Sequence, residues 1–355
     1  MLQLNPQTLK KLRRFREIKR GYYSFLILAG LLLVLAFGEL LVNSRALIVN
    51  YDGELFFPTY TGFHPGTDFG LDYSYEVNYR DLQEKFDSQG GEDWVLMPLV
   101  PYNPYENNGH GGMFRPTAPS AENQHYLGTD TTSRDILARL FYGTRIALVF
   151  SLVFTVWVYL IGISVGCAMG YFGGVFDLFF QRIIEIWSNI PFLYMVIIVF
   201  SVIPSSLTVS SRIGILLAVM VLFSWTGMTY NMRTETYKEK ARDYVAAARI
   251  LGASDSRIIF RHILPNVLAT LLTFMPFVVV SAIGSITALD FLGFGLPPPT
   301  PSLGELLKQG TANLRTAPWI VTAAFTTLVV ILTLITFIGE AVREAFDPKK
   351  FTVYR

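Results

Sequence analysis

Six long stretches of this chain carry almost no charge, and that pattern constrains its fold more than any other feature. A helix needs ~20 consecutive apolar residues to cross the hydrocarbon core of a bilayer. Tyr22–Val42 qualifies with Glu39 as its one charged residue, while 146–176, 186–211, 213–232, 263–289 and 316–339 hold none. Buried helices of soluble proteins seldom keep such runs beyond ~14 residues. Composition agrees: 52% of residues are hydrophobic and 16% charged, against ~25% charged in an ordinary soluble domain. Disorder is excluded by 28 Phe, 18 Tyr and 5 Trp, far more aromatic surface than an unpacked chain carries. A lone Cys167 excludes an internal disulfide and a multi-cysteine metal site. The first span follows a basic stretch, as a signal peptide would. It is long for one and lacks a small-x-small cleavage site, so it reads as a retained anchor.

Short basic segments stay on the cytoplasmic side of a membrane. Residues 1–21 carry seven Lys and Arg, 233–262 carry seven more and 341–355 carry four, whereas 43–137 carry five against fourteen acids. Six spans put all three basic segments on one side. The expectation is an all-α polytopic membrane protein with both termini cytoplasmic. Its order is a basic N-terminus (1–21), span one (22–42), an outer lobe (43–140) and a core of spans two to six (141–340), then a cytoplasmic tail (341–355). The core holds an inner loop at 234–265 and an outer loop at 290–316. In the lobe, aromatics alternate with Gly, Pro, Asp and Asn, which suits a small, turn-rich, strand-containing unit. Leu71–Tyr79 has the period-two pattern of a half-buried strand. Exposed aromatics there would equally suit a partner surface or the bilayer interface.

The inner loop reads as two helices. Thr236 and Glu239 have capping-box spacing ahead of a helix-forming run ending at Leu251. Gly252 then stops the helix as a left-handed residue would. Ser254 caps a second short helix that runs to Leu264, with Pro265 opening the next span. Ala246, Ala247 and Ala248 strip one face of bulk, which permits close approach of another surface. Amphipathic helices lying against the bilayer are the other reading of this segment.

The run DYVAAARILGASDSRIIFRHILPN resembles the EAA-type cytoplasmic loop of ATP-binding-cassette importer permeases, in which Gly252 and Ile263-Leu264-Pro265 stand at hallmark positions. Ala246 replaces the glutamate that names the loop, and His262 replaces an isoleucine. Two further stretches resemble the dipeptide and oligopeptide branch of that family. One precedes span two: Leu127, Gly128, Thr129, Asp130, Arg134, Asp135, Arg139, Gly143 and Arg145. The other follows span five: Phe291, Leu292, Gly293, Gly295, Pro298, Pro299, Pro301 and Gly304, with Asp290 where many members carry Ser. The aromatic insertion at 43–120 is similar to the YejE-type subgroup, linked to oligopeptide and microcin C uptake.

The resemblance implies a type I importer permease fold in the bacterial inner membrane, forming half of a pathway. The implied partners are a second, similar permease in a heterodimer, a cytoplasmic ATPase and a periplasmic substrate-binding protein, with no nucleic acid. The loop residues Tyr244, Ala247, Ala248, Arg249, Leu251, Gly252, Ala253, Ser254, Ile263, Leu264 and Pro265 would then couple to the ATPase. No G-x-x-x-x-G-K-[ST] motif occurs in the chain. It is therefore expected to be no enzyme and to bind no cofactor, with ATP and Mg used by the partner. Arg249 reads either as a charge-assisted contact to an acidic or carbonyl-rich groove or as a solvated arginine. Pro191 and Pro276 are natural kink points inside spans. Peptide and nickel-chelate cargo remain equally open. An ion-driven transporter would place ionisable groups at mid-membrane, but Glu39, Glu185 and Asp290 fall at span ends. A membrane hydrolase finds no support in the scattered His64, His110, His125 and His262: the first three read as solvated or loop-packing residues, and His262 belongs to the inner loop.

Overall fold

The computed structural model describes residues 6–109, 114–204 and 206–346. His110, and the basic tail beyond Phe346, lie outside them. A short helix α1 (Pro6–Glu17) leads through Ile18 into α2 (Lys19–Ala36). The lobe follows, with β1 (Ile48–Tyr51), β2 (Glu54–Phe56), α3 (Pro58–Thr61), α4 (Tyr79–Gln89) and β3 (Trp94–Leu96). Its antiparallel sheet has the order β2-β1-β3, with Val49 opposite both Phe56 and Val95. Asp52 and Gly53, both at positive φ, form the two-residue turn that suits the twist of a hairpin. Val49, Phe69, Tyr79, Leu82 and Phe86 are buried together, so the lobe has its own core.

The membrane part runs α5 (Ile136–Phe172), α6 (Gly174–Ser188), α7 (Phe192–Val202), α8 (Val209–Lys240), α9 (Asp243–Ile250) and α10 (Asp255–Arg257). A π-helical turn at Ile258–Ile263 continues into α11 (Leu264–Leu271), followed by α12 (Met275–Leu292), α13 (Leu303–Ala312) and α14 (Pro318–Phe346). Among the described residues, five helices are long and apolar enough to span a membrane, or six if α6 and α7 form one span bent by 72°. The kink points are as expected. Pro191 sits at the α6–α7 bend, and Pro276 opens α12 after a break from α11.

Three local expectations fail, each for a physical reason. Span two ends at Phe172 rather than 176, because Gly173 and Gly174 both take positive φ and the chain turns into α6. Span three is correspondingly longer at its start than the window 186–211. Leu71–Tyr79 forms no strand. Its burial does not keep period two, since Ser74 and Tyr75 are both exposed; one isolated bridge joins Glu76 to Pro65, and Asn78 caps α4 instead. Thr236 caps nothing, since α8 continues to Lys240 and buries it. Pro265 stands at the start of α11, as expected. A proline has no N–H for the carbonyl a turn back, and the wider π turn at Ile258–Ile263 immediately precedes it.

The central packing pair is α5 against α8. Gly162, Gly166 and Gly170, each four residues apart, face Met228–Thr229, Thr229–Arg233 and Arg233–Thr236. A Cβ on Gly166 would stand 2.4 Å from the Thr229 carbonyl oxygen, and one on Gly170 would stand 2.7 Å from that of Arg233. Small residues at this spacing let helix backbones approach closely where lipid supplies no hydrophobic drive between helices. This stripe brings α5 and α8 together backbone against backbone.

Candidate functional site

At one end of the α5–α8 pair stands the segment 234–265. Helix α9 is flanked by Arg242 at its N-cap, whose side chain makes no cap bond, and by Leu251 at its C-cap. Gly252 follows at φ +78°, and the Ala253 N–H donates to the Ala248 carbonyl at 3.0 Å, the closing bond of a left-handed helix stop. Ser254 Oγ accepts from the Arg257 N–H at 3.4 Å, so the next turn is capped as expected. The element is not a separate appendage. Val245, Ala248, Ile258 and Ile263 are buried in the main core with α5, α8, α11 and α12, and Ala253 and Leu264 pack on that core. Part of this loop is therefore buried against the spans.

The outer surface is the reverse. Ala246, Ala247, Gly252, Ser254 and Pro265 are exposed, and Ile250 and Leu251 are each 86% exposed at the tip. Two aliphatic side chains held out at a fixed corner, beside an alanine face, form a surface suited to a protein partner.

Two polar ties hold this element to the helices. The Tyr171 hydroxyl, in the last turn of α5, donates to Asp255 Oδ1 at 2.5 Å and accepts from Arg249 Nη2 at 3.2 Å. Lys240 Nζ donates to the Tyr171 carbonyl at 2.5 Å. Arg249 is exposed, and its bond to Tyr171 holds its guanidinium above the ordinary arginine value. Tyr244 makes the second tie, donating to Glu239 Oε2 at 2.5 Å and accepting from Asn266 Nδ2 at 3.1 Å. Burial and the Glu239 carboxylate raise the Tyr244 phenol above its usual value. Nearby, Asp177 of α6 receives two bonds from Arg233 at 2.6 and 2.7 Å and one from Tyr237 at 2.9 Å, which joins α6 to α8.

At the opposite end, the two other motif stretches come together. Arg139 is fully buried. It pairs with Glu305 and donates to the carbonyls of Pro104 at 3.0 Å and Pro299 at 3.3 Å. Its Nε stands 3.4 Å from Asp130 Oδ2 as an ion-pair neighbour without hydrogen-bond alignment. Arg134 donates to Asp130 at 2.8 Å and Glu305 at 3.1 Å. Two guanidinium groups and two carboxylates therefore neutralise one another in a closed set. Asp135 caps α5 through the Ala138 N–H and binds His125 at 2.8 Å, while His125 stacks on Tyr102. His125 is thus a packing residue rather than a solvated one.

Gly143 lies against Ser302, Gly304 against Asp290 and the Thr287 carbonyl, and Gly295 against the Asp290 side chain. Gly128 and Gly293 take positive φ, and Thr129 is buried, receiving Trp319 Nε1 on its carbonyl at 3.1 Å. Leu127 packs beside Ile136 and Leu303, Pro301 is buried, and Phe291, Leu292 and Pro298 are exposed. Arg145 stands apart from this set and reaches Glu39 at 2.9 Å.

The sequence reading missed Glu305, the group on which both arginines converge. A signal was present: Glu305 is the one acid between Asp290 and Glu340, and it follows Ser302 at capping-box spacing. Ser302 does cap α13, accepting from the Glu305 N–H at 3.0 Å, while the Glu305 carboxylate turns to the arginines instead.

Residues 159–352 match the family model described as binding-protein-dependent transport system inner membrane component. The chain is 42% identical to the inner membrane ABC transporter permease protein YejE of Escherichia coli K12, covering 99% of each chain. It is 37% identical to the peptidoglycan transport system permease protein YejE of Agrobacterium fabrum, over 98% of this chain and 94% of that one. The dipeptide transport system permease protein DppC of Haemophilus influenzae is 35% identical over 72% of this chain and 85% of its own. With its helices, its inner element and its motif stretches in place, this chain belongs to the family of inner membrane components of binding-protein-dependent transport systems.

Proposed function

We propose that this chain is the permease subunit of an ATP-driven importer of peptides, lending half of a pathway completed by a second, similar permease. The observation that carries the reading is the inner element, rooted in the α5–α8–α12 core and presenting Ile250 and Leu251 outward. A motor that pushed on that corner would move the packed helices with it, because Tyr171 and the buried residues leave little slack. Alternating access then follows as rocking of helix groups around a central pathway. The ATPase, the binding protein and the second permease are separate chains in this reading, with 234–265 cytoplasmic and the lobe periplasmic. Peptide cargo rests on the relatives that are named as dipeptide and YejE-type permeases. A peptidoglycan fragment is the second reading, favoured by the name of the Agrobacterium relative.

The test is Gly252→Val in the assembled transporter, read by uptake of a labelled peptide. A non-glycine residue at this left-handed position costs roughly 1–2 kcal/mol. A Cβ at Gly252 meets nothing within 4 Å inside the chain, so the membrane part keeps its fold while the corner changes shape. The expected result is an assembled or weakly assembled complex with little import. Parental uptake by the variant would remove 234–265 from the coupling role.

A further inference from the structure

We propose that α1 is a binding surface for anionic phospholipid headgroups at the level where α2 enters the bilayer. The inference rests on the membrane reading of α2 and is independent of cargo and of the ATPase. Within residues 10–20 stand Lys10, Lys11, Arg13, Arg14, Arg16, Lys19 and Arg20, against the one acid Glu17. The apolar run of the first span opens at Tyr22, and the junction between the helices is the single residue Ile18, at φ −80° and ψ 83°. The C-terminal end of α1 therefore lies within a turn or so of the residue at which the apolar run begins, the level of headgroups in the membrane reading.

The surface has two chemistries side by side. Leu9 and Leu12, three residues apart on one helical face, are 52% and 51% exposed. Phe15 packs edge-on against Phe25 of α2 with ring centroids 6.1 Å apart, which ties α1 to the span. Arg13 stands 3.8 Å from Glu17 with both side chains mostly exposed, and Arg20, also more than half exposed, stands 3.2 Å from Glu340. Lys11 lies 4.6 Å over the Phe346 ring, which keeps α1 against the end of α14. A soluble polyanion would be met by the charges but would leave Leu9 and Leu12 without use. A lipid surface satisfies both, with the leucines entering the acyl boundary and the long basic side chains reaching phosphates.

The experiment is thermal unfolding of the full-length chain in detergent, titrated with phosphatidylglycerol or phosphatidylcholine. Each basic side chain near an anionic surface is worth about fivefold in binding. The triple variant Lys10→Gln, Arg13→Gln and Arg16→Gln is expected to bind phosphatidylglycerol about a hundredfold more weakly. It should keep the parent's unfolding temperature in phosphatidylcholine. The variant Leu9→Ser with Leu12→Ser is expected to weaken both lipids alike. A triple variant that keeps its phosphatidylglycerol affinity within about threefold would overturn the proposal, since less than one side chain's share would then be lost. So would a parent that binds the two lipids equally.

Discussion

The two ends of the α5–α8 pair are built in opposite ways. At the lobe end, Arg134, Arg139, Asp130 and Glu305 form a buried set whose charges cancel, and the loops before α5 and after α12 are locked to α13. At the other end, a few ties through Tyr171 and Tyr244 hold an element whose outermost aliphatic side chains face away from the chain. A closed network specifies one arrangement and resists motion. An open corner with exposed aliphatics is complete only when another surface covers it. The difference suits one end to rigidity and, in the proposed function, the other to transmission.

The largest expected effect breaks the closed end. Removing one partner of a buried charge set leaves the others uncompensated, at a cost of ~3–5 kcal/mol. Arg139→Ala should therefore lower the unfolding temperature and the yield of folded chain sharply. Glu305→Ala should do nearly the same, and combining the two should cost less than the sum of both. Simple additivity in that double-mutant cycle would mean that the pair is not coupled.

Next is the body between the ends. Overpacking a tight contact typically costs ~1–3 kcal/mol, and Gly166→Val places its Cβ against backbone, where no side chain can rotate away. The expected outcome is a clear loss of stability with both end clusters chemically intact. Gly214→Val, whose Cβ would meet nothing within 4 Å, is the control and should leave stability close to the parent's.

Tyr171→Phe is gentler. It removes the hydroxyl shared by Asp255 and Arg249 but keeps the ring, at a cost of about 1 kcal/mol. If Tyr171 transmits motion, the variant folds, assembles and hydrolyses ATP while importing less peptide for each ATP consumed. An unchanged ratio of import to hydrolysis would leave the tyrosine a packing residue.

The same contrast explains what was legible in the sequence. Spans, the Gly252 stop and the Ser254 cap follow from local rules, because hydrophobic length and a left-handed residue act over a few positions. The pairing of Arg134 and Arg139 with Glu305 joins residues more than 160 positions apart, and one sequence holds no record of which charges meet. Thr236 misled because its capping-box spacing is a local rule overridden by packing: α8 continues so that Thr236 can sit on Gly170. The stripe Gly162, Gly166 and Gly170 was readable as spacing, yet its partner helix was not. In the lobe, the turn chemistry of Asp52-Gly53 is local, whereas the failure of Leu71–Tyr79 to pair depends on which strands lie beside it.

The smallest effect on the chain itself tests the central claim most directly. Ile250→Ser with Leu251→Ser alters two side chains that are each 86% exposed, and surface changes of this kind usually shift stability by less than ~0.5 kcal/mol. The measurement is co-purification of the ATPase subunit with the tagged permease, alongside thermal unfolding of the permease alone. The account predicts an unchanged unfolding temperature and loss of most of the bound ATPase. Parental recovery of the ATPase by the double variant would contradict it, because the corner would then carry no contact that holds the motor.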